Sequence, residues 1–267
     1  MCYPGWRPTI ADSSHRSTMS AAPPRHRLFV VAGLAAGQDV SLEATQAHYL
    51  GNVLRLGAGD EVALFNGRDG EWRARIAAIG KGRCTAIPAA QLRAQAAEPD
   101  LWLCFAPVKR ARIDFIAEKA AELGVSVVQP VFTRRTVVTR VNSERLRANA
   151  VEAAEQCERL SVPEVREPVE LDRLLDAWPG ERRLMLCDES GGAAPVAVAL
   201  AGATPGPWAV LIGPEGGFTD DEFARLRQLP GTLAVSLGPR VLRADTAAIA
   251  GLAIWQALLG DWRRERA

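Results

Sequence analysis

The chain has 267 residues, 48% of them hydrophobic and 24% charged, enough for one large folded domain or two of ordinary size, which excludes a disordered polymer. Its 32 basic and 31 acidic side chains leave a net charge of only +1, so any nucleic-acid binding has to come from local clustering. No apolar run reaches the roughly 18 residues of a membrane span, and five scattered cysteines (Cys2, Cys84, Cys104, Cys157, Cys187) without a Cys-x-x-Cys pair argue against a zinc site or a disulfide framework and fit a reducing cytoplasm.

Residues 1–24 show no apolar period and carry Pro4, Pro8, Pro23 and Pro24 with a Ser/Thr cluster, so they are expected to be a disordered extension. They lack the apolar centre of a secretory signal. Met19 stands just before the first patterned segment and is an alternative start to Met1. All three histidines, His15, His26 and His48, lie in the first fifth of the chain. A histidine-based catalytic or metal centre in the C-terminal two-thirds is thereby excluded, unless the N-terminal part folds over it.

From residue 25 to 93 short strands alternate with turns. Leu28–Val31, Glu61–Phe65, Glu71–Ile76 and Arg83–Ile87 are expected strands, broken at Gly57–Gly59, Asn66–Gly70 and Gly80–Gly82. The middle break reads as a hairpin loop, and Glu43–Arg55 as a short helix. A small β-barrel-like domain follows, with nine Lys/Arg against six Asp/Glu, either a solvated surface or a face for RNA. Residues 94–99 read as a linker.

Beyond the linker, strands alternate with helices, the signature of a parallel α/β sheet over residues 100–262. Leu101–Phe105 is a strand, and Ile113, Ile116, Ala120 and Leu123 define a helix stopped by Gly124. Val125–Val131 is the next strand. Thr133–Arg147 then carries Arg134, Arg135, Arg140, Arg145 and Arg147 against Glu144 alone, a composition suited to phosphate contacts or to a solvated face. Asn142 or Ser143 caps a helix expected to reach Leu160, on which Glu155 and Arg159 stand one turn apart as an ordinary ion pair. Leu184–Asp188 is a further strand.

Two stretches then share one design. Trp208–Ile212 runs into Gly213-Pro-Glu-Gly-Gly217, and Leu233–Ser236 runs into Leu237-Gly-Pro-Arg240. A buried strand ending in bare backbone lets a ligand approach main-chain groups closely. Thr219–Glu222 is a capping box for a helix through Leu229. Asp245 or Thr246 opens a last helix, whose small residues suit close packing against a second subunit. Neither a phosphate loop of the Gly-x-x-x-x-Gly-Lys-Ser/Thr type nor a Gly-x-Gly-x-x-Gly fingerprint is present, which disfavours a nucleotide-dependent oxidoreductase. Pro214 removes an amide donor, so an uncharged adenine or ribose edge fits better than pyrophosphate.

Gly213-Pro-Glu-Gly-Gly-Phe-Thr219, followed by Ser236-Leu-Gly-Pro-Arg-Val-Leu-Arg243, resembles the C-terminal motifs of the RsmE family, 16S rRNA (uracil-N3)-methyltransferases of the SPOUT superfamily. Glu118–Gly124, Ala153–Gln156 with Arg159, Tyr49–Arg55 and Leu64–Gly67 resemble further family segments in order, so the resemblance covers about residues 25–260. Two departures stand out: Glu158 occupies a position where glycine is expected, and Ala244-Asp245 replaces a Thr-Glu pair.

The resemblance implies a PUA-like β-barrel, an α/β domain with a trefoil knot, a homodimer, and a small-ribosomal-subunit RNA partner. It implies S-adenosylmethionine held by Leu186, Cys187, Ile212, Gly213, Pro214, Glu215, Gly216, Gly217, Ser236, Leu237, Gly238 and Leu242, with no metal and no membrane partner. Arg243 and Arg159 are candidates to stabilise charge on the uracil, and Glu155, Asp245 or bulk solvent to take its N3 proton. Arg25, Arg27 and Arg55 in the barrel and Arg134, Arg135 and Arg140 beyond it are candidate RNA contacts. The rival readings are a SPOUT methyltransferase acting on another RNA and a catalytically inactive RNA-binding assembly factor.

Overall fold

Short alternating runs build the first sheet. The computed structural model describes residues 22–263, so nearly all of the expected extension 1–24, and the choice between Met1 and Met19, lie outside the described residues. The first elements are β1 (Arg27–Phe29), β2 (Val40–Leu42), α1 (Ala44–His48) with a π-helical turn Tyr49–Val53, β3 (Glu61–Phe65), β4 (Glu71–Gly80) and β5 (Arg83–Arg93). The sheet order is β1-β3-β4-β5-β2, with β1 parallel to β3 and the other pairs antiparallel. Asn66–Gly70 is the β3–β4 hairpin loop. All five strands contribute to one core (Leu28, Val40, Val62, Ile76 and Ala86 among it), and three register shifts between β4 and β5 supply the curvature that wraps the sheet around it. β4 and β5 extend past the expected Ile76 and Ile87, and the expected helix Glu43–Arg55 divides into α1 and the π turn.

The second sheet contains β6 (Leu101–Phe105), β7 (Val127–Phe132), β8 (Glu164–Val165), β9 (Val169–Glu170), β10 (Arg183–Cys187), β11 (Ala194–Pro195), β12 (Trp208–Ile212) and β13 (Thr232–Ser236). Its helices are α2 (Arg110–Glu122), α3 (Ser143–Gln156), α4 (Leu171–Asp176), α5 (Val196–Leu200), α6 (Asp220–Gln228) and α7 (Ala244–Leu258). Strand order is β11-β13-β10-β12-β6-β7-β8, with β9 also on β7, and every pair is parallel. Every residue of β6 and β12 is buried, as expected of central strands covered on both faces. α2, α5 and α7 pack on one face and α4 and α6 on the other. No described helix is long and apolar enough to cross a membrane.

Because the strands are parallel, their carboxyl ends (Phe105, Phe132, Cys187, Ile212, Ser236) share one edge and their amino ends the other. Among the small residues of α7, Gly251 lets the helix sit close on its own sheet. A Cβ on Gly251 would lie 3.2 Å from Met185 Cε and 3.4 Å from Val210 Cγ1.

α3 begins as expected, with the Asn142 side chain accepting the Arg145 N–H, but it ends at Gln156 rather than Leu160. Glu158 lies in the left-handed region (φ 63°), which turns the chain out of the helix. Arg27 seals the open carbonyls, its Nη1 donating to Ala154 O (2.9 Å) and Glu155 O (2.7 Å) and its Nη2 to Arg159 O (2.9 Å). Arg27 and Arg93 share the buried Glu71 carboxylate, and Arg93 also donates to Glu158 O, so the first sheet is fastened to the C-terminal end of α3.

Candidate functional site

β13, β10 and β12 are neighbours, so the loops that leave their carboxyl ends meet. The first leaves β12. A Cβ on Gly213 would lie 2.8 Å from Phe218 Cε2, which reserves that position for glycine. Pro214 is buried, and its carbonyl accepts the Gly217 N–H (2.9 Å) in a turn that holds Gly217 at φ 68°. The expected capping box then starts α6, Thr219 Oγ1 accepting the Glu222 N–H (3.3 Å) and Glu222 Oε2 accepting the Thr219 N–H (2.8 Å).

The second loop leaves β13. The Ser236 hydroxyl accepts the Gly238 N–H (3.3 Å), and Gly238, at φ 119°, has open space where a Cβ would sit. Leu237 and Leu242 are half-buried against the core. At the end of β10, Leu186 is buried and Cys187 partly so, and burial pushes the Cys187 thiol up to about 12, in the direction that disfavours a thiolate. Buried Asp188 accepts the Ser190 N–H (2.8 Å) and an Arg227 N–H (3.1 Å), anchoring the loop beyond. Glycine backbone, the Ser236 hydroxyl and leucine side chains suit a flat, uncharged ring with polar edges. A proline where a phosphate cradle needs an amide does not suit phosphate.

A basic rim surrounds these loops. Arg134, Arg135 and Arg140 are exposed just past β7, and Arg135 Nη1 donates to Gly216 O (2.9 Å). Arg243 is exposed as the N-cap residue of α7, and Asp245 in its first turn lies 3.7 Å from Arg112 Nε. Ala244, not Asp245 or Thr246, is the first residue of that helix. Lys109 and Arg112 belong to this edge and were not among the expected site residues. The signal lies in Lys109-Arg-Ala-Arg112 at the start of α2, where no side chain caps and no acid occupies the first turn. Cations there oppose the helix dipole, an arrangement that a bound anion would offset.

Two expected catalytic residues lie elsewhere. Arg159 is at the amino edge, its side chain 7% exposed, with Nε on Glu98 Oε2 (2.9 Å) and Ser161 Oγ (3.1 Å) and Nη1 on Ala121 O (2.9 Å). Glu155 accepts the Phe29 N–H (2.9 Å). Burial raises its carboxyl above the usual range, against the Phe29 hydrogen bond and the charge of Arg27. These two do not form the expected ion pair, because the helix ends before Arg159. A five-residue strand, about 16 Å at roughly 3.3 Å per residue, separates the two edges. Within one chain, therefore, Arg159 and Glu155 do not join Arg243 and Asp245. Arg27 is likewise corrected from RNA contact to structural clamp, its donors spent on Glu71 and the end of α3. Arg25 and Arg55 are exposed on the first domain, Arg55 at φ 59°. Among the described residues no cluster of His, Cys, Asp or Glu could hold a metal ion.

Known proteins resemble this chain in sequence and fold. A family model described as an RNA methyltransferase domain matches residues 96–256, and one described as an RNA methyltransferase PUA domain matches residues 42–89. The chain is 32% identical over 234 residues to ribosomal RNA small subunit methyltransferase E of Rickettsia conorii, covering 85% of this chain and 93% of that protein. Its fold is similar to that of the same-named enzyme from Neisseria gonorrhoeae bound to S-adenosyl methionine (TM-score 0.81, 30% identity, 89% of this chain and 99% of that one). A putative methyltransferase from Legionella pneumophila in complex with SAM is also similar (TM-score 0.79, 32% identity, 88% and 98%).

Proposed function

The chain belongs to the ribosomal RNA small subunit methyltransferase E family, and from that premise we propose that it methylates N3 of a specific uridine in 16S ribosomal RNA, with S-adenosylmethionine as donor. The observation that carries the reading is the meeting of two glycine loops with a basic rim at the carboxyl edge, where Arg134, Arg135, Arg140 and Arg243 have no ion-pair partner among the described residues. Two neighbours of similar fold are described with the same cofactor bound.

The bound cofactor supplies an electrophilic methyl group on a sulfonium. Leu186, Cys187, Ile212, Gly213–Gly217, Ser236–Gly238 and Leu242 are the residues that would hold it, with half-buried Leu237 and Leu242 against the flat base and loop main chain at its polar edges. Arg134, Arg135 and Arg140 would take RNA phosphates at the rim, with Arg25 and Arg55 on the barrel. To attack the methyl carbon N3 must lose its proton, which leaves negative charge on N3, O2 and O4 until the new bond forms; the methyl–sulfur bond would break with its electron pair going to sulfur, leaving a neutral thioether. Arg243 is placed at this edge to meet that charge. Asp245, or bulk water, takes the proton, because Glu155 is at the other edge.

We read residues 25–93 as the PUA-like domain, 94–99 as the linker and 100–262 as the methyltransferase domain. We include a trefoil knot in this reading because β13, although later in the chain, is inserted between β10 and β11. The β10–β12 connection carries α5 over one face and the β12–β13 connection carries α6 over the other, and α7 then returns over β12 against α2 and α5. Exposed Phe115 on α2 and Leu258 on neighbouring α7 support a homodimer. Free Cys84, Cys104, Cys157 and Cys187 support a cytoplasmic setting.

The test is incubation with labelled S-adenosylmethionine and undermethylated small subunits, naked ribosomal RNA or transfer RNA, followed by mass mapping of the labelled nucleoside. Label in 3-methyluridine of the small-subunit RNA is the expected result. Label in transfer RNA, or at another ring position, would replace the substrate. Cofactor binding without transfer to any RNA would leave an assembly factor.

A further inference from the structure

The first glycine loop has a second segment fastened to it. Between β7 and α3, Thr133 and Thr136 close a tight turn. The Thr136 N–H donates to Thr133 O (3.1 Å), the Thr133 N–H donates to Thr136 Oγ1 (2.9 Å), and the two hydroxyls lie 2.9 Å apart. Arg134 and Arg135 form the tip. The Arg134 main-chain N–H donates to Glu222 Oε1 (2.8 Å), and Arg135 Nη1 donates to Gly216 O (2.9 Å). The Arg135 side chain also lies over Gly216, where a Cβ would come within 3.4 Å of Arg135 Cβ.

Glu222 is only 4% exposed, and its Oε2 is already occupied by the Thr219 N–H (2.8 Å) and hydroxyl (3.0 Å). A capping box needs no more than that. The other oxygen reaches a residue 88 positions away, so one buried carboxylate joins the end of the loop to the turn that covers it. Hydrogen bonds to a carboxylate are among the stronger ones, and a buried carboxylate stripped of a donor is costly. The turn and the loop are therefore ordered together. Arg135 is exposed and has five N–H donors, of which one is spent on Gly216 O, leaving an open edge of the guanidinium on the basic rim.

We propose that the Thr133–Thr136 turn couples the two ligands: an RNA phosphate taken by the open edge of Arg135 fixes the turn, the turn fixes Gly213–Gly217, and RNA and cofactor tighten one another's binding. Glu222 is a positioning residue here and touches neither ligand. The coupling rests on the function proposed above. By linkage, the factor by which RNA tightens the cofactor equals the factor by which the cofactor tightens RNA.

Equilibrium dialysis of labelled S-adenosylhomocysteine, which cannot transfer a methyl group, against the full chain with and without saturating small-subunit RNA measures that factor. The unaltered protein should bind about 5-fold or more tightly with RNA present. Arg135→Gln removes the phosphate fork and shortens the side chain that reaches Gly216 O. Whatever its affinity without RNA, the ratio of affinities with and without RNA should fall to about one in this variant. Glu222→Gln presents an amide to donors, so it should weaken the cofactor without RNA and shrink the ratio, while leaving the salt dependence of RNA binding unchanged. An undiminished ratio in Arg135→Gln would overturn the coupling, even if Glu222→Gln fails to fold. A ratio of one in an unaltered protein that binds cofactor and methylates RNA would overturn the coupling alone. Failure of the unaltered protein to bind S-adenosylhomocysteine at all would overturn the proposed function with it.

Discussion

At the amino edge of the parallel sheet, Arg27 and Arg93 divide the Glu71 carboxylate and Arg159 closes on Glu98. At the carboxyl edge, Arg134, Arg135, Arg140 and Arg243 are exposed, and none of their guanidinium groups has an ion-pair partner among the described residues. The same side chain does opposite work in the two places. Where it is buried and matched it is architecture, and its removal leaves a stranded carboxylate. Where it is exposed and unmatched it is available to an anion from outside the chain. A count of arginines along the chain cannot separate the two, because what separates them is the partner.

The contrast breaks most visibly at Arg27. Arg27→Ala leaves Glu71 buried with one cation and opens the last carbonyls of α3, a loss of about 3–5 kcal/mol in urea unfolding. The pH dependence should change with it. Burial pushes the Glu71 carboxyl up, but hydrogen bonds from Arg93 and Arg27 outweigh it and hold the group below its ordinary 4.5. A carboxyl depressed in the folded state contributes stability that is present above the ordinary value and lost as pH falls through the depressed one. Without Arg27 the acid limb should move to higher pH. A loss under about 1 kcal/mol, or an unmoved acid limb, would make the seam no different from a surface pair.

At the opposite edge the loss should appear in chemistry alone. Arg243→Ala is expected to slow single-turnover methylation by about 100-fold to 1,000-fold, the effect of removing one donor to a developing anion, with the melting temperature unchanged. Full activity would remove Arg243 from the reaction. Arg140→Ala should act more weakly still. It should lower the slope of log affinity for RNA against log salt by about one, while leaving both stability and the bound-state rate constant alone.

How much of this could be read from the chain depends on where each interaction's partner lies. The central strands were legible because Leu101–Phe105 and Trp208–Ile212 are buried on both faces and so run apolar without interruption. The loops after β12 and β13 were legible because glycine and proline announce their own backbone, and Thr219–Glu222 because a capping box closes within four residues. β2, at three residues, and α4 and α5, at six and five, are too short for a period to show. Arg159 and Glu155 were misplaced because helical spacing was carried past a point where the backbone had already turned. Arg27 was misread because its acceptors on α3 lie more than 120 residues away, beyond any local pattern. Lys109 and Arg112 could have been found: cations at a helix start with no cap are a local anomaly, visible without a structure.

The smallest effect belongs to the residue that ends α3. Glu158 sits at φ 63°, exposed, where the resemblance expects glycine, and a side chain there strains against the following carbonyl. Its carbonyl accepts an Arg93 N–H (2.9 Å), and a glycine backbone can offer the same carbonyl. Glu158→Gly should therefore raise stability by about 0.5–1 kcal/mol, the released strain exceeding the extra entropy of glycine in the unfolded chain. Glu158→Ala keeps the Cβ and the strain, so it should leave stability within about 0.5 kcal/mol of the starting protein. Equal stabilisation by both changes would assign the effect to the lost charge instead of the backbone. Methyl transfer should be the same in all three, because this position lies at the seam edge and the proposed reacting groups lie at the other.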